Sequence, residues 1–130
     1  MLKKILVPLD GSELAERALT YATALAGTAG AHLLLMRVAY SHTLAGVDPR
    51  ERQVGAVQEA EAYLQQIATQ LREGGFVCET VARYGHAAEC ITESARTRHA
   101  DLIVMATHGR TGPRRVRVCR DGAGDRGPPG

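Results

Sequence analysis

Apolar residues along the chain fall into two alternating patterns, which are short continuous runs and longer stretches with helical spacing. Runs such as residues 5–7 and 33–36 are typical of strands buried on both faces of a sheet. Between the runs, apolar residues recur every three or four positions, as on one face of a helix. The pattern predicts strands over residues 2–9, 31–39, 76–83 and 101–106, and helices over residues 13–27, 51–73 and 85–98.

Strands that alternate with helices predict βαβ units and a parallel sheet. The fold class is therefore α/β, a Rossmann-like, doubly wound parallel sheet in which four strands are clearly marked. In such sheets, ligands bind beyond the carboxyl ends of the strands, where the strand order reverses. If the first and fourth strands are neighbours at that point, Asp10 and residues 107–112 face one crevice. Residues 40–50 are a predicted connecting loop.

The hydrophobic pattern stops after Gly112. Residues 1–112 are predicted to form one α/β domain, whereas residues 113–130 are rich in arginine, glycine and proline and are predicted to be a tail without regular structure. A fifth helix and strand are doubtful there, which would leave the outer edge of the fourth strand unpaired. Because the composition changes abruptly, we interpret the tail as disordered or as the product of a reading-frame shift near Arg114 or Arg115.

Composition and charge exclude several classes of function. With 130 residues the chain forms a single domain, and no apolar stretch approaches the roughly 20 residues that span a bilayer. We therefore expect a cytoplasmic protein with no membrane partner. Residues 1–112 carry 11 basic and 12 acidic side chains, which argues against nucleic acid as a partner. The histidines and cysteines lack metal-ligand spacing, so no metal site is predicted.

Two turns carry residues suited to ligand chemistry. Asp10, Gly11 and Ser12 follow the first strand, where a carboxylate can accept from a ligand amine and a helix N-terminus favours negative charge. An ordinary strand-to-helix turn with a capping serine explains the same residues. After the fourth strand, the turn from Thr107 to Gly112 offers backbone donors, hydroxyls and a guanidinium to a phosphate, or is a polar surface turn. Around His108 no nucleophile and base can be identified, so no catalytic residue is predicted.

Four segments in colinear order resemble the universal stress protein family. They are Lys4-Ile-Leu-Val-Pro-Leu-Asp-Gly-Ser12, His32-Leu-Leu-Leu-Met-Arg-Val38, Gly85-His-Ala-Ala-Glu-Cys-Ile91 and Ala100-Asp-Leu-Ile-Val-Met-Ala-Thr-His-Gly-Arg-Thr-Gly112. The resemblance implies a five-stranded parallel domain of the adenine-nucleotide alpha-hydrolase-like type. It also implies a homodimer and, in one branch of the family, binding of ATP.

The resemblance assigns roles to individual residues. In the ATP-binding relatives the aspartate after the first strand, here Asp10, contacts adenine, and the backbone at Val38 lines the same pocket. A Gly-x-x-Gly-x9-Gly-Ser/Thr signature holds ribose and phosphates, but Ala106 replaces its first glycine and Cys119-Arg120 stand where Gly-Ser is expected. The nucleotide-binding residues that the resemblance implies are Pro8, Asp10, Gly11, Ser12, Val38, Met105, Thr107, His108, Gly109, Arg110 and Gly112.

The sequence thus predicts a stress-response regulatory module that binds ATP or AMP, with Mg²⁺ accompanying ATP. Any ATP hydrolysis would be slow or dependent on a partner, and a regulatory protein partner is expected. A homodimer would be weakened if the last strand were missing. The alternative is an interaction protein of the same fold that binds no nucleotide, its phosphate site lost with Ala106, Cys119 and Arg120.

Overall fold

A computed structural model describes residues 3–39, 49–107 and 115–120 of the chain. The elements alternate as the sequence pattern predicts, except at the carboxyl end. In chain order they are β1 (Lys4–Pro8), α1 (Glu13–Ala29), β2 (His32–Ala39), α2 (Pro49–Glu73), β3 (Cys78–Tyr84), α3 (Ala87–Thr97), β4 (Leu102–Thr107) and β5 (Arg115–Arg120).

The strands form one sheet in the order β3-β2-β1-β4-β5. Strands β1 to β4 are parallel, which confirms the predicted α/β class. In the register of the sheet, Leu6 of β1 is opposite Leu34 on one side and Ile103 on the other. The predicted neighbourhood of the first and fourth strands is therefore confirmed.

Helices cover both faces of the sheet, and the two faces follow from the alternation of side chains along each strand. Helices α1 and α2 pack on one face, and α3 packs on the other. The face under α1 and α2 presents Ile5, Val7, Leu33, Leu35 and Val104, whereas the face under α3 presents Leu6, Leu34, Met36 and Ile103. Because the chain crosses from one face to the other between β3 and β4, the strand order reverses next to β1, and a crevice opens beyond the carboxyl ends there.

The fifth strand that the sequence leaves doubtful is present over Arg115–Arg120. This segment forms β5, which is antiparallel to β4, with Val104 opposite Val118. Only seven residues separate β4 from β5, too few for the crossover of a dozen or more that a parallel pair requires. The unpaired backbone of the β4 edge favours such pairing, and Val116 and Val118 alternate with arginines, a strand-like signal in the sequence. Residues 113–114 and 121–130 of the predicted tail lie outside the described residues.

Polar contacts fix the amino end of the sheet. One carboxylate oxygen of Asp101 accepts from the backbone N–H groups of Lys3, at 2.8 Å, and Lys4, at 3.0 Å. The Lys4 ammonium forms a 2.8 Å ion pair with Glu79 on β3. These contacts tie the starts of β1, β3 and β4 together at the end opposite the crevice.

Candidate functional site

The turn between β1 and α1 is built around Asp10, Gly11 and Ser12. The Asp10 carboxylate accepts from the Ser12 N–H at 2.9 Å, and the Ser12 hydroxyl accepts from the Ala15 N–H at 3.1 Å as the N-cap of α1. Gly11 adopts a φ of +87°, a conformation that side chains disfavour. The capping role considered for Ser12 is therefore confirmed, and the same turn presents the exposed Asp10 carboxylate at the carboxyl end of β1.

Arg37, near the end of β2, connects this turn to α2. Its guanidinium carbon lies 4.5 Å from the centroid of the Tyr63 ring, a cation–π contact. On the Gly11 side, the guanidinium lies so close that a Cβ at Gly11 would be 3.5 Å from one of its terminal nitrogens. A Cβ at Gly11 would thus be in ordinary van der Waals contact with the guanidinium, which places the Arg37 side chain directly beside this turn.

The Tyr63 hydroxyl is enclosed among charged groups. Burial raises the pKa of Tyr63, and the negative charges of Glu16 and Asp10 add to this, while the Arg37 guanidinium opposes it. The hydroxyl lies near the Gly11 backbone but has no partner with hydrogen-bond geometry among the described residues. Tyr63 also packs against the hydrophobic core.

A cleft of about 410 Å³ lies between the carboxyl ends of β1 and β2 and the helix α2. Asp10, Arg37 and Val38 line one side, and small residues of α2 leave room on the other. Its full lining is Asp10, Arg37, Val38, Ala39, Ala56, Glu59 and Ala60. The cleft falls within the size range of small-molecule sites, and it combines apolar surface with a few converging polar groups, as such sites do.

Two predicted site residues, Asp10 and Val38, meet in this cleft. Pro8 is the last residue of β1 and lies opposite Met36 in the sheet. Met105 packs against the hydrophobic cluster under α3 and is not among the residues that line the cleft. Thr107 ends β4, at the same edge of the sheet. The remaining predicted residues, His108, Gly109, Arg110 and Gly112, lie outside the described residues.

Cys119 and Arg120, at the positions of the missing Gly-Ser pair, lie far from the cleft in the register of the sheet. Cys119 is opposite Ile103 and Arg120 is opposite Leu102, the first residue of β4. The cleft lies at the carboxyl ends of β1 and β2, which run parallel to β4. Because β5 runs back along β4, this pair stands toward the amino end of the parallel strands, away from any phosphate held at their carboxyl ends.

Sequence analysis missed Arg37 and Glu59 as members of the site. Arg37 interrupts an otherwise apolar strand that runs from Leu33 to Ala39. A single charged residue in a buried strand is unusual, and this could have indicated a site residue. Glu59 is one of several acidic residues on the exposed side of α2, and nothing in the sequence sets it apart.

Two other cavities lie away from the crevice. One, of about 570 Å³, lies on the outer face of α3 and is open to solvent. The other, of about 470 Å³, lies at the amino ends of the strands and is lined by Lys3, Lys4, His32, Arg98 and His99. Helices α1 and α3 end there at Gly30 and Arg98, and the basic side chains counter the negative ends of their dipoles.

The described residues offer little for redox or metal chemistry. Cys78 and Cys90 are buried free thiols, and burial raises the pKa of Cys78, as expected for an unreactive cysteine. Within residues 3–39, 49–107 and 115–120, no cluster of metal-ligating side chains is present. In the same part of the chain, no helix combines the length and the apolar character needed to cross a bilayer.

Comparison with known proteins places the chain in one family. The sequence profile of the universal stress protein family matches residues 1–119. A universal stress protein from Synechocystis is 30% identical over 124 residues, covering 84% of this chain and 80% of that protein. A crystal structure of a universal stress protein from Burkholderia pseudomallei superimposes with a TM-score of 0.72 at 31% identity, covering 82% of each chain.

More distant relatives share the fold and contain ligands. An Arabidopsis thaliana universal stress protein solved with AMP bound has a TM-score of 0.58 at 16% identity, covering 83% of this chain and 78% of that chain. A universal stress protein in complex with cAMP has the same TM-score at 18% identity, covering 78% of this chain and 73% of that chain. The matching profile, the identity of the relatives and the shared sheet agree with the resemblance of the four sequence segments. The chain belongs to the universal stress protein family.

Proposed function

We propose that the chain binds an adenine nucleotide in the cleft beside β1 and β2 and acts as a regulatory module of the stress response. The observation that carries this proposal is the meeting of Asp10 and Val38 in one cleft. A carboxylate there accepts from the exocyclic amine of adenine, and the backbone of a strand end offers further donors and acceptors to the edge of the base. The relatives that hold AMP and cAMP support an adenine ligand of this kind.

The proposal concerns ATP or AMP, with Mg²⁺ accompanying the triphosphate. Glu59 lines the same cleft and can accept from a ribose hydroxyl. The turn from Thr107 to Gly112 is the candidate for the phosphates, because it offers backbone N–H groups and the Arg110 guanidinium. None of the cleft residues forms a pair of nucleophile and base, so we propose binding and regulation, with hydrolysis at most slow or dependent on a partner.

A second candidate function is an interaction module that binds no nucleotide. The placement of Cys119 and Arg120 in β5 favours it, because the second half of the family's phosphate signature is then absent from the carboxyl end of β4. In this case the Asp10 carboxylate would only stabilise the turn before α1, by accepting from the Ser12 N–H. A homodimer and a regulatory protein partner remain proposals under either function.

Asp10→Asn separates the two functions. The amide oxygen can still accept from the Ser12 N–H and preserve the turn, but the amide nitrogen places a donor opposite the adenine amine. We expect isothermal titration calorimetry to show adenosine and ATP binding to the wild type, with affinity reduced at least about tenfold in the variant. Glu13→Gln is the matched control, because Glu13 lies in the first turn of α1 outside the cleft lining. A wild type that binds neither ligand at millimolar concentration would contradict the nucleotide proposal and leave the interaction module as the candidate.

A further inference from the structure

Arg37 is the one cation among the described residues that line the cleft. It precedes Val38 on β2, and its side chain lies on the α2 face of the sheet, over Tyr63. It thereby places a charged donor group next to the turn that carries Asp10. The resemblance to the family assigns roles to Asp10 and Val38 but none to Arg37, although Arg37 lines the same cleft.

The guanidinium is held before any ligand arrives. The Tyr63 ring lies 4.5 Å from the guanidinium carbon, and Gly11 approaches the same group from the turn. A long side chain restrained by a cation–π contact has already lost part of its rotamer freedom on folding, so less of that entropy remains to be lost on binding. Arg37 therefore offers pre-oriented N–H donors, and a guanidinium has no acceptor.

The charges around Arg37 determine which part of a nucleotide it can bond. Asp10 and Glu59 line the same cleft, so two carboxylates share the lining with one guanidinium, and the lining has a net negative formal charge. Such a lining disfavours a phosphate group. It suits a base, whose exocyclic amine donates and whose ring nitrogens accept.

We propose that Arg37 is a specificity-determining residue that donates a hydrogen bond to a ring nitrogen of the bound purine, beside the Asp10 carboxylate that accepts from the amine. This inference rests on the proposed function and names the part of the ligand that the cleft recognises. The amine donates to the Asp10 carboxylate, and the ring nitrogen accepts from the Arg37 guanidinium. One edge of the base therefore forms hydrogen bonds with both charged side chains.

Adenosine analogues that lack a single ring nitrogen test the assignment. Calorimetry would compare adenosine with 1-deaza-, 3-deaza- and 7-deazaadenosine, each of which replaces one ring nitrogen by C–H. We expect either 1-deaza- or 7-deazaadenosine, whose replaced nitrogens flank the amine, to bind the wild type about tenfold more weakly than adenosine, the effect of losing a hydrogen bond to a charged donor. A loss with 3-deazaadenosine alone would contradict the assignment, because its replaced nitrogen lies on the opposite edge of the base. For Arg37→Met, we expect the affinity for adenosine to fall to the level of that analogue. The difference in affinity between adenosine and the analogue then disappears.

The matched control is Arg83→Met on the neighbouring strand. Arg83 contacts Glu93 and Ser94 of α3 and does not line the cleft, so this variant should keep the wild-type order of affinities. If Arg37→Met does not fold, Arg37→Gln takes its place, because its shorter, uncharged side chain also weakens the bond. Equal affinity of the wild type for all four nucleosides overturns the assignment, as does a deficit that persists without Arg37. A wild type that binds no adenosine overturns the proposed function, and this assignment with it.

Discussion

Gly11 is the residue on which the geometry of the cleft depends most directly. Its φ of +87°, which favours glycine, directs the chain from β1 into α1 beside the Arg37 guanidinium. The sequence singles out Asp10 and Ser12 in this turn, because their chemistry follows from their position between a strand and a helix. It could not single out the contact of Arg37 with Tyr63, because 26 positions separate them and only the packing of α2 on the sheet brings them together.

Gly11→Ala should weaken both folding and binding. A side chain at this φ costs about 1–2 kcal/mol of the free energy of unfolding, and relaxation of the strained turn would shift Asp10 in the cleft. Urea denaturation would measure the loss, and calorimetry with adenosine would measure the reduced affinity. Gly27→Ala is the control, because Gly27 lies inside α1 with open space around it, so alanine should raise the free energy of unfolding by up to about 1 kcal/mol. If the two variants had equal stability, the strain assigned to the turn would be wrong.

Among the elements, the four parallel strands and three helices could be predicted from hydrophobic period alone, and β5 could not. The sequence signal for β1, β2 and β4 is strong, because helices cover both faces of these strands and each strand is therefore a nearly continuous run of Ile, Leu and Val. In β5, Val116 and Val118 alternate with arginines, which is a weak signal inside a segment of otherwise irregular composition. Its pairing depends on the free edge of β4, a property of the folded sheet.

The contacts at the starts of β1, β3 and β4 make the stability of the sheet dependent on pH. Backbone N–H groups of Lys3 and Lys4 lower the pKa of Asp101, and the hydrogen bond from Lys4 lowers the pKa of Glu79. A carboxyl group whose pKa is lower in the folded state stabilises the fold above its unfolded pKa, near 4, and this stabilisation is lost as the pH falls through the folded pKa. The melting temperature should therefore fall as the pH is lowered from 5 to 3, as circular dichroism would record. The melting temperature of Asp101→Asn should fall less over that interval. Glu61→Gln, which removes an exposed carboxylate from the middle of α2, should follow the wild type. Parallel curves for Asp101→Asn and the wild type would contradict the role given to Asp101.

At the scale of the whole molecule, the two ends of the sheet differ in what they can bind. The described part of the carboxyl end holds the cleft with Asp10, Arg37 and Glu59. The residues that stand in place of the family's second phosphate motif, Cys119 and Arg120, pair with the first half of β4. On the proposed function, a nucleotide in the cleft is held mainly by its base, and among the predicted site residues the turn that follows Thr107 is the candidate for contacts with its phosphates.

This division predicts that phosphates add little to affinity. Each hydrogen bond between a phosphate and a charged donor strengthens binding by about tenfold or more, so a site with both halves of the signature would prefer ATP strongly over adenosine. We expect adenosine, AMP and ATP with Mg²⁺ to bind this chain within about tenfold of one another, with weak dependence on salt. Calorimetry at two salt concentrations would measure this, and Arg110→Gln would report the contribution of the turn after β4. An ATP affinity far above that of adenosine would contradict this prediction, and its reduction in Arg110→Gln would assign the excess to the turn after β4. The same excess with no effect of Arg110→Gln would require other residues to reach them, which contradicts the division of the sheet into a binding end and a structural end.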